Sequence, residues 1–302
     1  MTILCEIVFE RNPLKVFYSG RPLCGYVHLE LKNHQDIHGI HIKLNGIALA
    51  SWKIGQTIQR YTEDCLNYQT CILGESHLIA RKYKFPFQLP LPTKLPSSFE
   101  SEDEFSFIRY NVTVLMDIPF QEIKELNERV TIRRMIDVND PDLKRKVSVC
   151  DGFNPYFILS CLPWFPVKID AHVELGIYAC GTVIDVGVNV TNTSFRKVRN
   201  FIIQLIKEVV YFSYDQTRKR KSIIVLGETG MRGCNQNQKY PICLGCQIKV
   251  PQTSPSDCSS MIIKVRHFIK IIAVMGRNYK PALELPIVIA ALSNVQQNVS
   301  PI

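Results

Sequence analysis

The chain states one pattern twice, roughly 160 residues apart, and that duplication limits it to two related domains in tandem. Tyr18-Ser19-Gly20 followed by Gly25-Tyr26-Val27-His28-Leu29-Glu30-Leu31 is answered by Tyr178-Ala179-Cys180-Gly181 followed by Val183-Ile184-Asp185-Val186-Gly187-Val188-Asn189-Val190. Further on, Leu91-Pro92, Pro96-Ser97 and Ile108-Arg109-Tyr110-Asn111-Val112 are echoed by Val250-Pro251, Pro255-Ser256 and Ile263-Lys264-Val265-Arg266-His267-Phe268. With 302 residues, each copy is long enough to bury its own core. The copies divide the chain into domains at 1–143 and 144–302, with a linker between Asp137-Val138-Asn139-Asp140-Pro141 and Val147, where turn formers and charge replace apolar residues.

Within each copy, apolar and polar residues alternate with period two, the mark of strands with one buried face. Val27, Leu29 and Leu31 alternate with His28, Glu30 and Lys32; Ile40, Ile42 and Leu44 with His41, Lys43 and Asn45. Tyr83, Phe85, Phe87, Leu89 and Leu91 share a side, and Pro86 and Pro90 on the other side mark an edge strand, because proline cannot donate to a ladder. In the second copy Val167, Ile169, Ala171, Val173 and Leu175, then Ile184, Val186, Val188 and Val190, repeat the pattern. Many short strands with almost no helical periodicity predict an all-β protein of two antiparallel, immunoglobulin-like β-sandwiches. The segment 120–134 admits two readings: a short helix by propensity, or a charged loop before a strand at Val130-Thr131-Ile132.

The net charge of +9 is concentrated in short runs: Arg129, Arg133 and Arg134; Lys144, Arg145 and Lys146; Arg196, Lys197 and Arg199; and Arg218, Lys219, Arg220 and Lys221. Such runs are solvated faces or sites for acidic partners. No aromatic residues interleave with them and no nucleic-acid motif is present, so nucleic acid is not an expected partner. Eleven cysteines, odd in number and scattered, imply a reducing compartment rather than a disulfide scaffold. The N-terminal residues lack the pattern of a secretory signal, and no run approaches the ~20 apolar residues of a membrane span.

Candidate chemistry is sparse. Cys243 and Cys246, with Cys234 and Cys258, offer four thiols, but their spacing is not that of a common zinc ribbon, and no βαβ setting supports a redox pair. His28, His41 and His172 fall on outward strand positions, as solvated imidazoles, and Trp52 and Trp164 are expected to be packed aromatics. No catalytic, metal or cofactor-binding residue is assigned. Arg109 is the candidate for an interdomain polar contact, with Asp185 or Asp137 as partner.

Taken together these segments resemble the arrestin superfamily, and specifically the α-arrestins, or arrestin domain-containing proteins. The resemblance rests on Tyr18 to Gly20; Ile40, Ile42 and Leu44 with Gly46, Ala48 and Trp52; Phe85-Pro86-Phe87; Leu95-Pro96-Ser97-Ser98-Phe99-Glu100; and Ile108-Arg109-Tyr110 in the first domain. In the second it rests on Asn192-Thr193-Ser194, Val250-Pro251, Pro255-Ser256 with Cys258, which matches a core cysteine of that family, and Leu285-Pro286-Ile287. Thr182 stands where the family commonly has glutamate, and the glycine that usually precedes Ile-Arg-Tyr is missing.

The resemblance implies an arrestin N-type sandwich at 1–143, a C-type sandwich at 144–302, and a non-enzymatic cytosolic adaptor. Such an adaptor would bind cytoplasmic regions of membrane proteins or receptors, guide their endocytosis, and associate peripherally with the plasma membrane or endosomes. Edge strands would accept extended peptide, and Arg196, Lys197, Arg199, Arg218, Lys219, Arg220 and Lys221 would hold phosphate or anionic lipid headgroups. Family members that recruit ubiquitin ligases do so through Pro-Pro-x-Tyr, and this sequence has no Pro-Pro pair, so a ligase partner is not expected. A structural subunit of an endosomal coat, resembling the arrestin-like component of retromer, is the alternative on the same fold; a zinc- or thiol-dependent protein is the alternative from another class.

Overall fold

The computed structural model describes residues 3–10, 12–103, 105–136, 140–153, 166–277 and 279–291. Two compact units emerge. The first comprises Met1–Met135 with two stretches from later in the chain, Val210–Arg220 and Asp257–Lys264; the second comprises Ile136–Val209, Lys221–Ser256 and Val265–Ile302.

In the first unit the strands are β1 (Ile3–Phe9), β2 (Val16–Tyr18), β3 (Leu23–Leu31), β4 (Gln35–Ile37), β5 (Gly39–Ile54), β6 (Thr57–Leu73), β7 (Ser76–Leu78), β8 (Lys82–Leu89), β9 (Phe99–Glu100), β10 (Phe107–Asp117) and β11 (Lys124–Arg133). They form a three-stranded sheet β1-β3-β8 and a six-stranded sheet β2-β11-β10-β5-β6 in which β9 also pairs with β10. The two-stranded ribbon β4-β7 completes the set. Alternation sets the faces: Leu23, Val27, Leu29 and Leu31 of β3 and Ile40, Ile42 and Leu44 of β5 are buried. The proline-bearing strand β8 does lie at a sheet edge, with Pro86 opposite Tyr26 of β3. Of the two readings of 120–134, the strand at Val130-Thr131-Ile132 is present, but 124–129, read as helix or loop, are strand as well. Residues 124–130 pair with Met116 to Tyr110 of β10 in unbroken register, and Val130 and Ile132 enter the core. Ladder bonds and burial outweigh the few tenths of a kcal/mol per residue that helix propensity offers.

After one helical turn, α1 (Pro141–Lys144), the remaining strands are β12 (Val147–Phe153), β13 (Val167–Val173), β14 (Ile177–Ala179), β15 (Val183–Asn192), β16 (Val198–Phe212), β17 (Lys219–Cys234), β18 (Gln238–Lys249), β19 (Ile263–Val274) and β20 (Ala282–Ala290). They make the sheets β12-β13-β15-β18 and β14-β20-β19-β16-β17. Between them lies an aliphatic core of Val167, Ile169, Ala171, Ile184, Val186, Val188, Phe201, Ile203, Ile269, Ile271 and their neighbours. Among the described residues no helix is long and apolar enough to cross a membrane.

The duplicated motifs have duplicated jobs. Gly20 and Gly181 both turn the chain in the left-handed region, at φ 77° and 88°, where glycine avoids the Cβ clash. Gly20 N then donates to Leu91 O at 3.0 Å and Gly181 N to Val250 O at 2.8 Å, which explains why a residue followed by proline echoes at both places. The strands leading into these turns, β2 and β14, each pair parallel to the last strand of their copy, β11 and β20. The Pro-Ser loops clamp those last strands. Ser98 N donates to Ile132 O at 2.7 Å and Ile132 N to Ser98 Oγ at 2.9 Å; Ser256 N donates to Ile289 O at 2.8 Å and Ile289 N to Ser256 Oγ at 2.9 Å. The third residue of each Ile/Val-Arg-aromatic triplet reaches its own loop: Tyr110 OH donates to Pro96 O at 2.7 Å, and His267 Nδ1 lies 2.8 Å from Ser256 Oγ.

Candidate functional site

Asn192 builds the first basic cluster. At the end of β15 its side chain is fully buried; Nδ2 donates to Arg196 O at 2.8 Å and to Asn235 O at 3.0 Å, while Oδ1 accepts from Ser194 N and from Ser194 Oγ at 2.6 Å. Every polar atom of the amide is used, so the backbone of 193–197 is pinned against the end of the sheet. Pinning the backbone leaves the side chains outside: Phe195, Arg196, Lys197 and Arg199 are all exposed. Gly233 supports the arrangement from β17, because a Cβ there would sit 1.9 Å from Val198 O. The cluster is therefore a tip, its backbone held by Asn192, that carries one aromatic ring and three cations.

The second basic run sits at a hairpin of different character. Asp215 accepts from Ser213 Oγ, from Thr217 Oγ1 at 2.6 Å and from Thr217 N at 3.2 Å; these hydrogen bonds hold its carboxyl at about 2, well below the usual range. Within the first unit, Tyr214 OH bonds to the backbone of Thr62 and its ring meets Tyr61 edge-on. Tyr61 in turn packs on Trp52, which is buried as its sequence suggests; Trp164 lies outside the described residues. Two of the four cations are committed to carboxylates: Arg220 Nη1 lies 3.5 Å from Asp103 Oδ2, and Lys221 Nζ 2.7 Å from the nearly buried Glu208. Arg218 and Lys219 are exposed.

Arg109 makes a local contact. Its Nε and Nη2 donate to the two oxygens of Glu100 at 2.9 and 2.8 Å, a bidentate fork across the β9-β10 pair, and its guanidinium lies 3.8 Å over the Phe107 ring. Arg129 grips the same carboxylate from β11. The geometry follows from register, since Phe107 pairs with Glu100 and Asn111 with Arg129. Of the partners considered for Arg109, Asp185 instead accepts from Gln247 Nε2 at 2.8 Å, and Asp137 lies outside the described residues.

The polar centre that sequence reasoning missed is Asp257. Its buried carboxylate accepts from Ser97 N and Ser97 Oγ, both at 2.7 Å, and from Ser259 N at 2.9 Å, with Arg134 Nη1 at 3.4 Å. Close by, Glu63 accepts from Ser260 Oγ at 2.6 Å and Met261 N at 2.9 Å. All these residues belong to the first unit. The recurrent Pro-Ser pair was the available signal; nothing local to Asp257 marks it as buried. Its neighbour Cys258 is exposed, which corrects the expectation of a core position: once Asp257 turns inward, the next side chain of an extended segment points out.

Among the described residues the thiols do not converge. Cys243 and Cys246, three apart on β18, fall on opposite faces, the first exposed and the second partly buried. Cys234 is buried, and among the described residues no three His, Cys, Asp or Glu side chains are placed to hold a metal. Burial raises the thiols of Cys5 and Cys246 to about 11, and burial followed by the charge of Glu63 raises Cys65 to about 12. His28 is exposed as expected, whereas His172 lies half-buried over Gly187, whose missing Cβ makes room for the ring.

Comparison with known proteins agrees with this architecture. The family model described as arrestin (or S-antigen), N-terminal domain, matches residues 5–139, and that for the C-terminal domain matches 166–294. Thioredoxin-interacting protein of Sus scrofa is 26% identical over 311 residues, covering 98% of this chain and 76% of that protein. The Homo sapiens protein of the same name is 25% identical over 311 residues, with the same coverage. Arrestin domain-containing protein 17 of Caenorhabditis elegans is 25% identical over 225 residues, 68% of this chain and 51% of that protein. The two domain matches, in order and together spanning most of the sequence, mean that the chain belongs to the arrestin family, in its α-arrestin branch, whose members are generally non-enzymatic adaptors that bind other proteins.

Proposed function

We propose that this chain is a cytosolic adaptor of the α-arrestin type, with domains at 1–143 and 144–302, that binds cytoplasmic parts of membrane proteins and guides their endocytosis while resting on anionic membrane. The observation that carries this reading is the pinned tip of Phe195, Arg196, Lys197 and Arg199: an exposed ring beside three exposed cations on a backbone held by Asn192. Each cation near an anionic surface contributes about 1 kcal/mol, so three supply roughly a hundredfold in affinity at low salt. In the first unit Arg218 and Lys219 are further exposed cations, while Arg220 and Lys221 are held by Asp103 and Glu208 and contribute less.

Co-sedimentation with phosphatidylserine vesicles tests the reading. Reversal of charge at Arg196, Lys197 and Arg199 abolishes binding at low salt, and neutralising Arg218 and Lys219 lowers it by a smaller factor. Binding that is unchanged in the triple variant sinks the proposal. Proximity labelling in cells then identifies the membrane proteins that depend on the same three residues.

A second reading follows from the relatives that are named for interacting with thioredoxin. Cys71, Cys150, Cys243 and Cys258 are exposed thiols of the kind a thiol-dependent partner requires. Converting the exposed thiols to mixed disulfides with thionitrobenzoate and then adding a thioredoxin that lacks its resolving cysteine decides it: the thioredoxin thiolate attacks the protein sulfur and expels thionitrobenzoate, so a thioredoxin adduct mapped to one of these four supports the reading, and no adduct removes it.

A further inference from the structure

The β4-β7 ribbon carries a concentration of imidazole that neither the fold nor the adaptor role uses. Three of the chain's seven histidines, His34, His38 and His77, lie on it or beside it. The strands pair so that Asp36 stands directly opposite His77, and alternation places His34, two residues before Asp36, on the same face. All three side chains are exposed. His77 Nδ1 lies 2.6 Å from Asp36 Oδ1; a carboxylate only accepts, so Nδ1 carries the proton. In the neutral ring this leaves the Nε2 lone pair on the far side, directed away from Asp36. The His34 ring stacks beside it, with centroids 5.9 Å apart and planes 17° from parallel.

We propose that His34 and His77 form a surface site for a first-row transition cation of the zinc, nickel and copper group, ligated by His77 Nε2 and an imidazole nitrogen of His34. Imidazole selects those metals over magnesium and calcium. The Asp36-His77 pair supplies the outer contact that metal-ligating histidines characteristically make, fixing tautomer and ring plane and raising ligand basicity. Two nitrogens on one tetrahedral zinc stand roughly 3.3 Å apart. The rings stand on one face with centroids 5.9 Å apart, and a turn of the exposed His34 side chain is what would bring one of its nitrogens to that span. Two protein ligands make an open site, completed by water or by a side chain of a bound partner, and distinct from a closed centre of three or more converging ligands. His38 is the internal control: its Nδ1 lies 3.7 Å from Asp117, a carboxylate outside the ribbon.

The test is titration of the whole chain with zinc chloride, read by the side-chain nitrogen resonances of each histidine and by calorimetry. The residue-specific readout separates this site from the exposed thiols, which also take zinc. Expected are saturable shifts of His77 Nε2 and of one His34 nitrogen. His34→Ala and His77→Ala should each weaken that binding at least tenfold, Asp36→Asn should weaken it about 10- to 100-fold, and His38→Ala should leave it unchanged. No saturable shift of His34 and His77 up to millimolar zinc overturns the proposal. So do shifts of His77 Nε2 that keep the wild-type midpoint in the His34→Ala variant.

Discussion

Asp257 and Ser97 lie 160 positions apart, and the carboxylate of the first takes two hydrogen bonds from the second, from its backbone N and its Oγ, each 2.7 Å long. Both residues are buried, and Ser259 and Arg134 complete the shell around the carboxylate. Asp257→Ala leaves Ser97 N without an acceptor and the half-buried Arg134 without its counter-ion, at a cost of about 3–5 kcal/mol. Urea denaturation measures it; a loss under 1 kcal/mol would mean that water replaces the carboxylate.

His267 makes stability depend on pH. Burial, with Lys207 adding repulsion, holds its imidazole at about 4 against an ordinary value of 6.5. The folded state keeps the ring neutral while the unfolded chain takes up a proton below 6.5, so the stabilisation is complete above that pH and is lost as pH falls toward 4. Between pH 7 and pH 5 the loss is about 2 kcal/mol. Denaturation midpoints at the two pH values report it, and His267→Leu removes that part of the difference.

Gly46 and Tyr110 form a steric pair. A Cβ on Gly46 would stand 2.3 Å from the Tyr110 ring, whose hydroxyl holds Pro96 O. Gly46→Ala must displace the ring and that hydrogen bond together, for a loss of about 2–4 kcal/mol. Tyr110→Phe, which keeps the ring, loses about 1–2 kcal/mol. Thermal unfolding ranks the two, and equal effects would contradict the steric account.

Lys221 and Lys197 separate stability from surface charge. Lys221→Ala strands the carboxylate of Glu208, whose side chain is only 12% exposed, and should destabilise by about 1–2 kcal/mol. Lys197→Ala together with Arg199→Ala should stay within about 0.5 kcal/mol of the parent. Chemical denaturation of both variants supplies the comparison.

The thiols should sort by burial. Cys71, Cys150, Cys243 and Cys258 are exposed, whereas Cys5, Cys65 and Cys246 are raised to about 11 or 12. At pH 8 the exposed set is alkylated first and the raised set stays protected until the fold opens. Peptide mapping of a maleimide time course checks the order.

Period-two alternation was enough to read which side chains of β3, β5, β13 and β15 enter the core, because a strand has only two faces. The segment 124–133 was ambiguous because its exposed positions are good helix formers, and only the register with β10 removes the ambiguity. The basic runs were visible, but their difference was not. Asn192 turns one into an exposed tip, while Asp103 and Glu208 absorb half of the other, and no spacing rule links Arg220 to a residue 117 positions earlier.

By itself the sequence determined that this protein is two β domains in tandem, because repeated turns and alternating strands are local facts written in neighbouring residues. Only the tertiary structure decided which polar groups are partners. Asp257 with Ser97, Arg109 with Glu100, and His77 with Asp36 are joined by strand pairing and loop return, and the enthalpy of a buried or bidentate hydrogen bond depends on that geometry and not on distance along the chain.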